Sequence, residues 1–190
     1  MAAVARLQQA KLGRGVTWHA NLAEALHSCD GAAFIYSNEL LDAFPATLVE
    51  WRPGAWHEVY ITSAGQEELL PLSFPAETRS EFTALNSTPP KDGQRYELHG
   101  SVRDWMRRWA PAWHQGSLLT VDYGDLFPAL YHRRPRGTLR AYLLQQRLEG
   151  REIYRNPGRQ DITADVNFSD YRHWASSLGW EETFYGTQAA

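Results

Sequence analysis

Residues 31–45 read GAAFIYSNELLDAFP. An unbroken apolar run over residues 32–36 passes straight into Ser37, Asn38 and Glu39, and Asp42 and Pro45 follow. A continuous apolar run of this length predicts a strand buried on both faces, as in a parallel sheet. In open parallel sheets, ligands collect outside the carboxyl ends of the strands. The stretch therefore predicts a strand whose far end offers an amide and two carboxylates. A second reading stands beside this one. Asn38 can cap one or two helical turns over residues 39–44, which end before Pro45. Glu39 and Asp42 would then be favourable first-turn charges on one helix face.

Residues 116–124, GSLLTVDYG, repeat the form: an apolar strand that stops at Asp122, Tyr123 and Gly124. If the two strands are neighbours, Asn38, Glu39 and Asp122 converge on one crevice. A carboxylate pair such as Glu39 and Asp42 can hold a cationic substrate or take a proton.

Outward from these strands, the chain reads as α/β. A helix is expected over residues 4–12 and a short strand over 16–19. A helix from residue 22 is capped by Asn21, with Glu24 at the capping-box position. Residues 47–62 alternate around Arg52, Pro53 and Gly54, which is a hairpin signal. Residues 63–100 are rich in Pro, Glu and Ser and read as loops within an insertion over about 46–100. A helix over 102–113 is expected to be capped by Ser101 and ended by Pro111. The last helix is expected to be capped by Ser169 and ended by Gly179, before a closing strand over 180–188.

The chain has 190 residues, 43% of them hydrophobic, and a net charge of -3. That suits one domain of ordinary size and gives no basic field for nucleic acid. No apolar run is long enough to span a membrane, and the first residues lack a signal-peptide core, so the expected location is cytoplasmic. Cys29 is the single cysteine and reads as a small buried apolar residue. Eight tryptophans suit core and hairpin packing or the lining of a groove. The seven histidines lack zinc-ligand spacing. Asp161 and Asp165 form a turn-and-cap pattern around Thr163 more readily than a metal pair, so no metal is expected. Ser37 lacks the GxSxG elbow of a hydrolase. Arg133, Arg134 and Arg136 make a small basic cluster, read as a solvated loop or a phosphate contact.

Six stretches in order, SNELLDAFP (37–45), WHEV (56–59), LLTVDYG (118–124), GTLRAY (137–142), G-x-x-DITA-x-V-x-F (158–168) and the terminal TQ, resemble the MidA-like family. These are class I S-adenosylmethionine-dependent methyltransferases, among them a mitochondrial arginine methyltransferase that assists complex I assembly. The resemblance implies a Rossmann-like methyltransferase sheet with an inserted β-hairpin and loop substrate region. It implies S-adenosylmethionine as cofactor and a protein arginine as substrate, with a respiratory-complex subunit among the candidate partners. By the same resemblance Ser37, Asn38 and Glu39 contact the donor. Glu39, Asp42 and Asp122 are the catalytic candidates, and Asp122, Tyr123 and Asp161 bind substrate. The family's opening strands and Gly-rich loop have no counterpart before Leu7, and Asp165 stands where the family more often has His. The resemblance thus implies a partial methyltransferase domain over 1–190, with a bare sheet edge, self-association and no measurable donor binding at micromolar levels by these residues alone. A non-catalytic assembly or interaction module is the alternative.

Overall fold

The structure is a computed structural model and describes residues 2–12, 15–87 and 90–188. In chain order its elements are α1 (Ala2–Leu12), α2 (Leu22–His27), β1 (Ala32–Asn38), β2 (Thr47–Arg52), β3 (Ala55–Ile61) and β4 (Glu67–Pro71). Next come α3 (Ala76–Ser80), α4 (Thr83–Asn86), β5 (Arg95–Leu98), α5 (Gly100–Trp109), β6 (Gln115–Val121) and β7 (Gly124–Asp125). The chain ends with β8 (Arg140–Leu143), β9 (Gln146–Leu148), β10 (Asp161–Thr163), β11 (Val166–Asn167) and α6 (Phe168–Ser177). Two compact units are present: residues 1–36 with 106–119, and residues 37–105 with 120–190.

In the first unit, Asn21 Oδ1 accepts from the Glu24 amide at 3.0 Å, and Glu24 Oε2 accepts from the Ala20 amide at 3.1 Å. This is the cap that starts α2. The expected strand over 16–19 is absent, and those residues are irregular. Cys29 is exposed, which corrects the expectation of burial. β1 and β6 are hydrogen-bonded neighbours. The Gln115 amide donates to the Gly31 carbonyl at one end of the pair, and the Glu39 amide to the Val121 carbonyl at the other. The two strands therefore run parallel, as the sequence suggested. Gly116 has a φ of 128°, and a Cβ there would lie 1.9 Å from the Ala33 carbonyl oxygen, so only glycine allows this pairing. Burial on both faces is not found. Ile35 is buried, whereas Phe34, Tyr36 and Leu119 are 68%, 58% and 43% exposed. Among the described residues β1 and β6 pair with each other alone, and the face carrying these three side chains is open.

In the second unit, the hairpin of β2 and β3 forms as expected, with Trp51 opposite Trp56. It belongs to a four-stranded antiparallel sheet of order β4-β3-β2-β5. The expectation of loops over 63–100 is corrected by β4, β5, α3 and α4. Proline and charge hid the strands. Pro71 sits at the end of edge strand β4, where proline is tolerated. The charges are matched across the sheet: Arg95 forks onto Glu67 at 2.8 and 2.7 Å and reaches Glu50 at 2.6 Å. Trp56, Tyr96 and Tyr131 stack in sequence, with centroids 5.3 and 4.4 Å apart.

β8 lies between β10 and β9 in a small antiparallel sheet, and β11 pairs parallel with β7. The α6 cap is Asn167, whose side chain accepts from the Ser169 amide at 3.1 Å; Ser169 is inside the helix. Likewise α5 starts at Gly100, and the Ser101 hydroxyl donates to the Pro45 carbonyl. Pro111 does end that helix, in a 3-10 turn. Residues 180–188 form no strand. Among the described residues no helix is long and apolar enough to cross a membrane.

Candidate active site

The site is built on the carboxyl end of β1. Pairing continues one residue past the strand, with the Glu39 amide donating to Val121 at 2.9 Å. Glu39 then turns left-handed, with φ 48°. The helix expected over 39–44 does not form: the left-handed Glu39 breaks the right-handed path, and the amides that follow are held by a carboxylate. Asp122 Oδ2 accepts from Leu41 at 2.7 Å, Leu40 at 3.1 Å and Asp42 at 3.4 Å. Asp122 Oδ1 accepts from the Tyr123 amide at 2.8 Å. Residues 39–42 thus wrap a single aspartate. Burial raises the pKa of Asp122 above the ordinary carboxylate range, and the amide donors pull it back.

Asp42 is buried, and its carbonyl accepts from the Ala164 amide at 3.0 Å. Burial, followed by the nearby charge of Asp122, pushes its carboxyl pKa up, and the Arg140 guanidinium opposes this. Glu39 is exposed and accepts from the Tyr123 hydroxyl at 3.2 Å. That carboxylate raises the Tyr123 pKa. The Arg140 guanidinium lies 5.8 Å from the Tyr123 ring centroid. Arg140 also donates to the Tyr142 hydroxyl at 3.2 Å and is paired with Asp165. Asp165 pairs with Arg134 as well, so its charge is spent on two arginines.

Glu39, Asp42 and Ala43, together with Gln160, Asp161, Ile162 and Thr163, line a cleft of about 410 Å³. Three of the site residues named from sequence, Glu39, Asp42 and Asp161, therefore line one cavity. Asp122 and Tyr123 do not line it and are bonded to the loop. Ser37 is buried, with its hydroxyl donating to Thr120 Oγ1 at 3.2 Å, and it does not line the cleft. Asn38 is exposed at the end of β1. Sequence reasoning missed Arg140, Gln160 and Thr163. Thr163 Oγ1 is buried without a hydrogen-bond partner among the described residues. The signal for Arg140 lay within GTLRAY: an arginine two positions before a tyrosine, at a strand start. Among the described residues no cluster of three or more His, Cys, Asp or Glu is arranged to hold a metal.

With its parallel strand pairs and its four- and three-stranded antiparallel sheets, the chain has an α/β methyltransferase-like fold. Over residues 2–185 the chain matches the family described as "Putative S-adenosyl-L-methionine-dependent methyltransferase", and it belongs to that family. It is 25% identical over 179 residues to the Drosophila melanogaster "Protein arginine methyltransferase NDUFAF7 homolog, mitochondrial", covering 88% of this chain and 37% of that relative. It is also similar to a Burkholderia thailandensis COG1565 superfamily member, described as a "likely methyl transferase" and solved with S-adenosyl-homocysteine bound. That match has 28% identity and a TM-score of 0.63, covering 78% of this chain and 38% of the other. A native structure of a COG1565 superfamily protein from the same organism gives 28% identity and a TM-score of 0.65, covering 78% of this chain and 39% of the other. The chain thus spans well under half the length of these relatives.

Proposed function

We infer that the chain forms part of a cytoplasmic S-adenosylmethionine-dependent methyltransferase, built on a Rossmann-like sheet, whose substrate is an arginine of a protein. The observation that carries this reading is the cleft in which Glu39, Asp42 and Asp161 face one cavity. A guanidinium is planar and cationic, and carboxylates hold it with charge-assisted, often bidentate, hydrogen bonds. Glu39 is exposed at the cleft, and one of its oxygens accepts from the Tyr123 hydroxyl. It is assigned to bind and orient the guanidinium. The attacking nitrogen sheds a proton as it is alkylated. Asp42, buried and with a raised pKa, is the carboxylate suited to receive it. Asp122 is assigned to position the loop, because its oxygens already accept four backbone amides.

The residues present also fit the donor. Its sulfonium is a cation, which suits an acidic cleft, and the unpartnered Thr163 hydroxyl offers a polar contact. Asn38, at the strand end, is assigned to hold it. When bound, the donor supplies an electrophilic methyl group, and the chain's part is alignment and charge stabilisation.

The test is incubation with S-adenosylmethionine labelled in its methyl group and an arginine-containing protein, followed by hydrolysis and identification of the labelled amino acid. Methylarginine is the expected product. Label in methyl-lysine or in carboxyl esters rejects the arginine assignment. A complete absence of label favours the second reading, a non-catalytic interaction module, which the open apolar face of Phe34, Tyr36 and Leu119 supports.

A further inference from the structure

Charge is unevenly spread along this chain. Between positions 132 and 159 stand eight arginines and two carboxylates, Glu149 and Glu152. The rest of the chain carries eleven cations against twenty carboxylates. These arginines sit in the small sheet and its connections, and that sheet includes β10, whose residues Asp161–Thr163 line the cleft. Arg140 is buried on Asp165, but Arg133, Arg136, Arg151, Arg155 and Arg159 are exposed. Among the described residues no ion pair engages Arg133, Arg151 or Arg159. Arg136 Nη1 lies 3.7 Å from where a Gly150 Cβ would stand, so the loop of Arg133 and Arg136 rests against the turn that carries Arg151. Arg159 directly precedes the cleft residue Gln160. Its amide closes a turn onto the Asn156 carbonyl at 3.0 Å.

An acidic cleft and a basic surface therefore adjoin on one short stretch of chain, Arg159 to Asp161. We propose that the arginine-rich surface docks an acidic segment of the protein substrate, so that the arginine entering the cleft is one flanked by Asp or Glu. This rests on the arginine reading of the cleft and adds the sequence context that the site selects. Polyanions fit less well. A nucleic-acid strand or an anionic membrane that followed the arginines would next meet Asp161, Glu39 and Asp42, and like charges repel it there. A peptide that alternates carboxylate and guanidinium matches both surfaces.

The test is a binding titration by fluorescence polarisation. The peptides carry one arginine flanked by Asp and Glu, the same arginine flanked by Ser, or the acidic flanks with the arginine replaced by Gln. Each is titrated against the parent, Arg151→Glu/Arg159→Glu and Glu39→Gln, with folding checked by circular dichroism. The parent should prefer the acidic-flanked arginine peptide over the serine-flanked one by about tenfold, or about 1.4 kcal/mol. That preference should shrink with added salt and vanish in the double reversal, and Glu39→Gln should weaken both arginine peptides alike. Equal binding of the two arginine peptides, or a preference that survives the reversal, overturns the docking surface. Continued weakening by Glu39→Gln would then leave the cleft reading intact. If the arginine-free acidic peptide binds as tightly as its arginine parent, the docking surface stands and the arginine reading falls. Tighter capture of a single-stranded oligonucleotide or of anionic lipid vesicles than of any peptide overturns the proposal, as does a failure to bind any peptide.

Discussion

The Leu41 amide donates to Asp122 Oδ2 at 2.7 Å, although the two residues are 81 positions apart in the chain. With Leu40 and Asp42 on the same oxygen, this bond ties residues 40–42 to the residue that follows β6. Asp122→Ala would strip the acceptor from these amides, at a cost of about 2–4 kcal/mol by the usual penalty for buried unmade bonds. Asp122→Asn keeps one oxygen and should cost roughly half as much. Urea unfolding measures both, and amide exchange at Leu41 should quicken in the alanine variant. A parental unfolding midpoint for Asp122→Ala would show that the loop is held by something else.

Glu39 separates binding from folding. It is exposed, so Glu39→Gln should leave the unfolding free energy within about 0.5 kcal/mol of the parent. If it holds a guanidinium in the cleft, losing its charge should cost about 2–5 kcal/mol of interaction, or roughly 30-fold or more in turnover. Tyr123→Phe removes only the hydroxyl that Glu39 accepts from, and should change turnover by less than about tenfold. Parental turnover in Glu39→Gln moves the assignment to Asp42.

Much of the strand framework was legible before the structure. The two apolar runs did become parallel neighbours, and the hairpin at Pro53 and Gly54 formed where alternation and turn residues placed it. Their burial was not legible, because an apolar run records what a strand can bury and not whether a second layer covers it. Phe34 and Leu119 show the difference. The helix expected after Asn38 failed for a different reason: local capping chemistry favoured it, but Glu39 takes a left-handed φ of 48°, which a right-handed helix does not contain. The strands β4 and β5 were hidden because Glu50, Glu67 and Arg95 look solvated in sequence and are matched only across a sheet. The cleft was half readable. Glu39, Asp42 and Asp161 were named, whereas Thr163 and Arg140 depend on the fold of the last third of the chain.

Two buried groups should give this protein opposing acid responses. Burial holds the His99 pKa down at about 4, below its ordinary value of 6.5, and its Nε2 has no hydrogen-bond partner among the described residues. The unfolded chain takes up that proton first, so stability falls as pH drops from about 6.5 to 4. Burial raises Asp170 to about 6 from 3.8, even though the Thr83 amide and hydroxyl donate to it at 2.7 and 2.6 Å. Here the folded chain keeps the proton longer, so stability falls as pH rises from about 4 to 6. Each shift is worth about 3 kcal/mol across its window, and the two largely cancel between pH 4 and 6. Asp170→Asn should expose the histidine slope, with stability lost on acidification. His99→Gln should expose the opposite slope. Urea midpoints across this range test both, and parallel profiles for the two variants would refute the assignment.

Glu97 and Gly137 form the tightest test of the scaffold behind Arg140. Glu97 is buried and accepts from the Thr138 amide at 2.8 Å, the Leu139 amide at 3.1 Å and the Thr138 hydroxyl at 3.1 Å. Thr138 Oγ1 in turn accepts from the Asp165 amide at 2.9 Å, and Asp165 holds Arg140. Gly137 has a φ of 78°, and a Cβ there would lie 2.2 Å from Glu97 Oε1. Gly137→Ala therefore meets two penalties, about 1 kcal/mol for a left-handed alanine and a further clash with a carboxylate that cannot retreat. A total of about 3 kcal/mol or more is expected. Glu97→Ala leaves three donors unmet and should cost about 3–5 kcal/mol. The double variant should cost less than the sum by about 1–2 kcal/mol, because removing the carboxylate also removes the clash. Strict additivity in a double-mutant cycle would mean that Gly137 is needed only for its backbone angle and that Glu97 does not press on it.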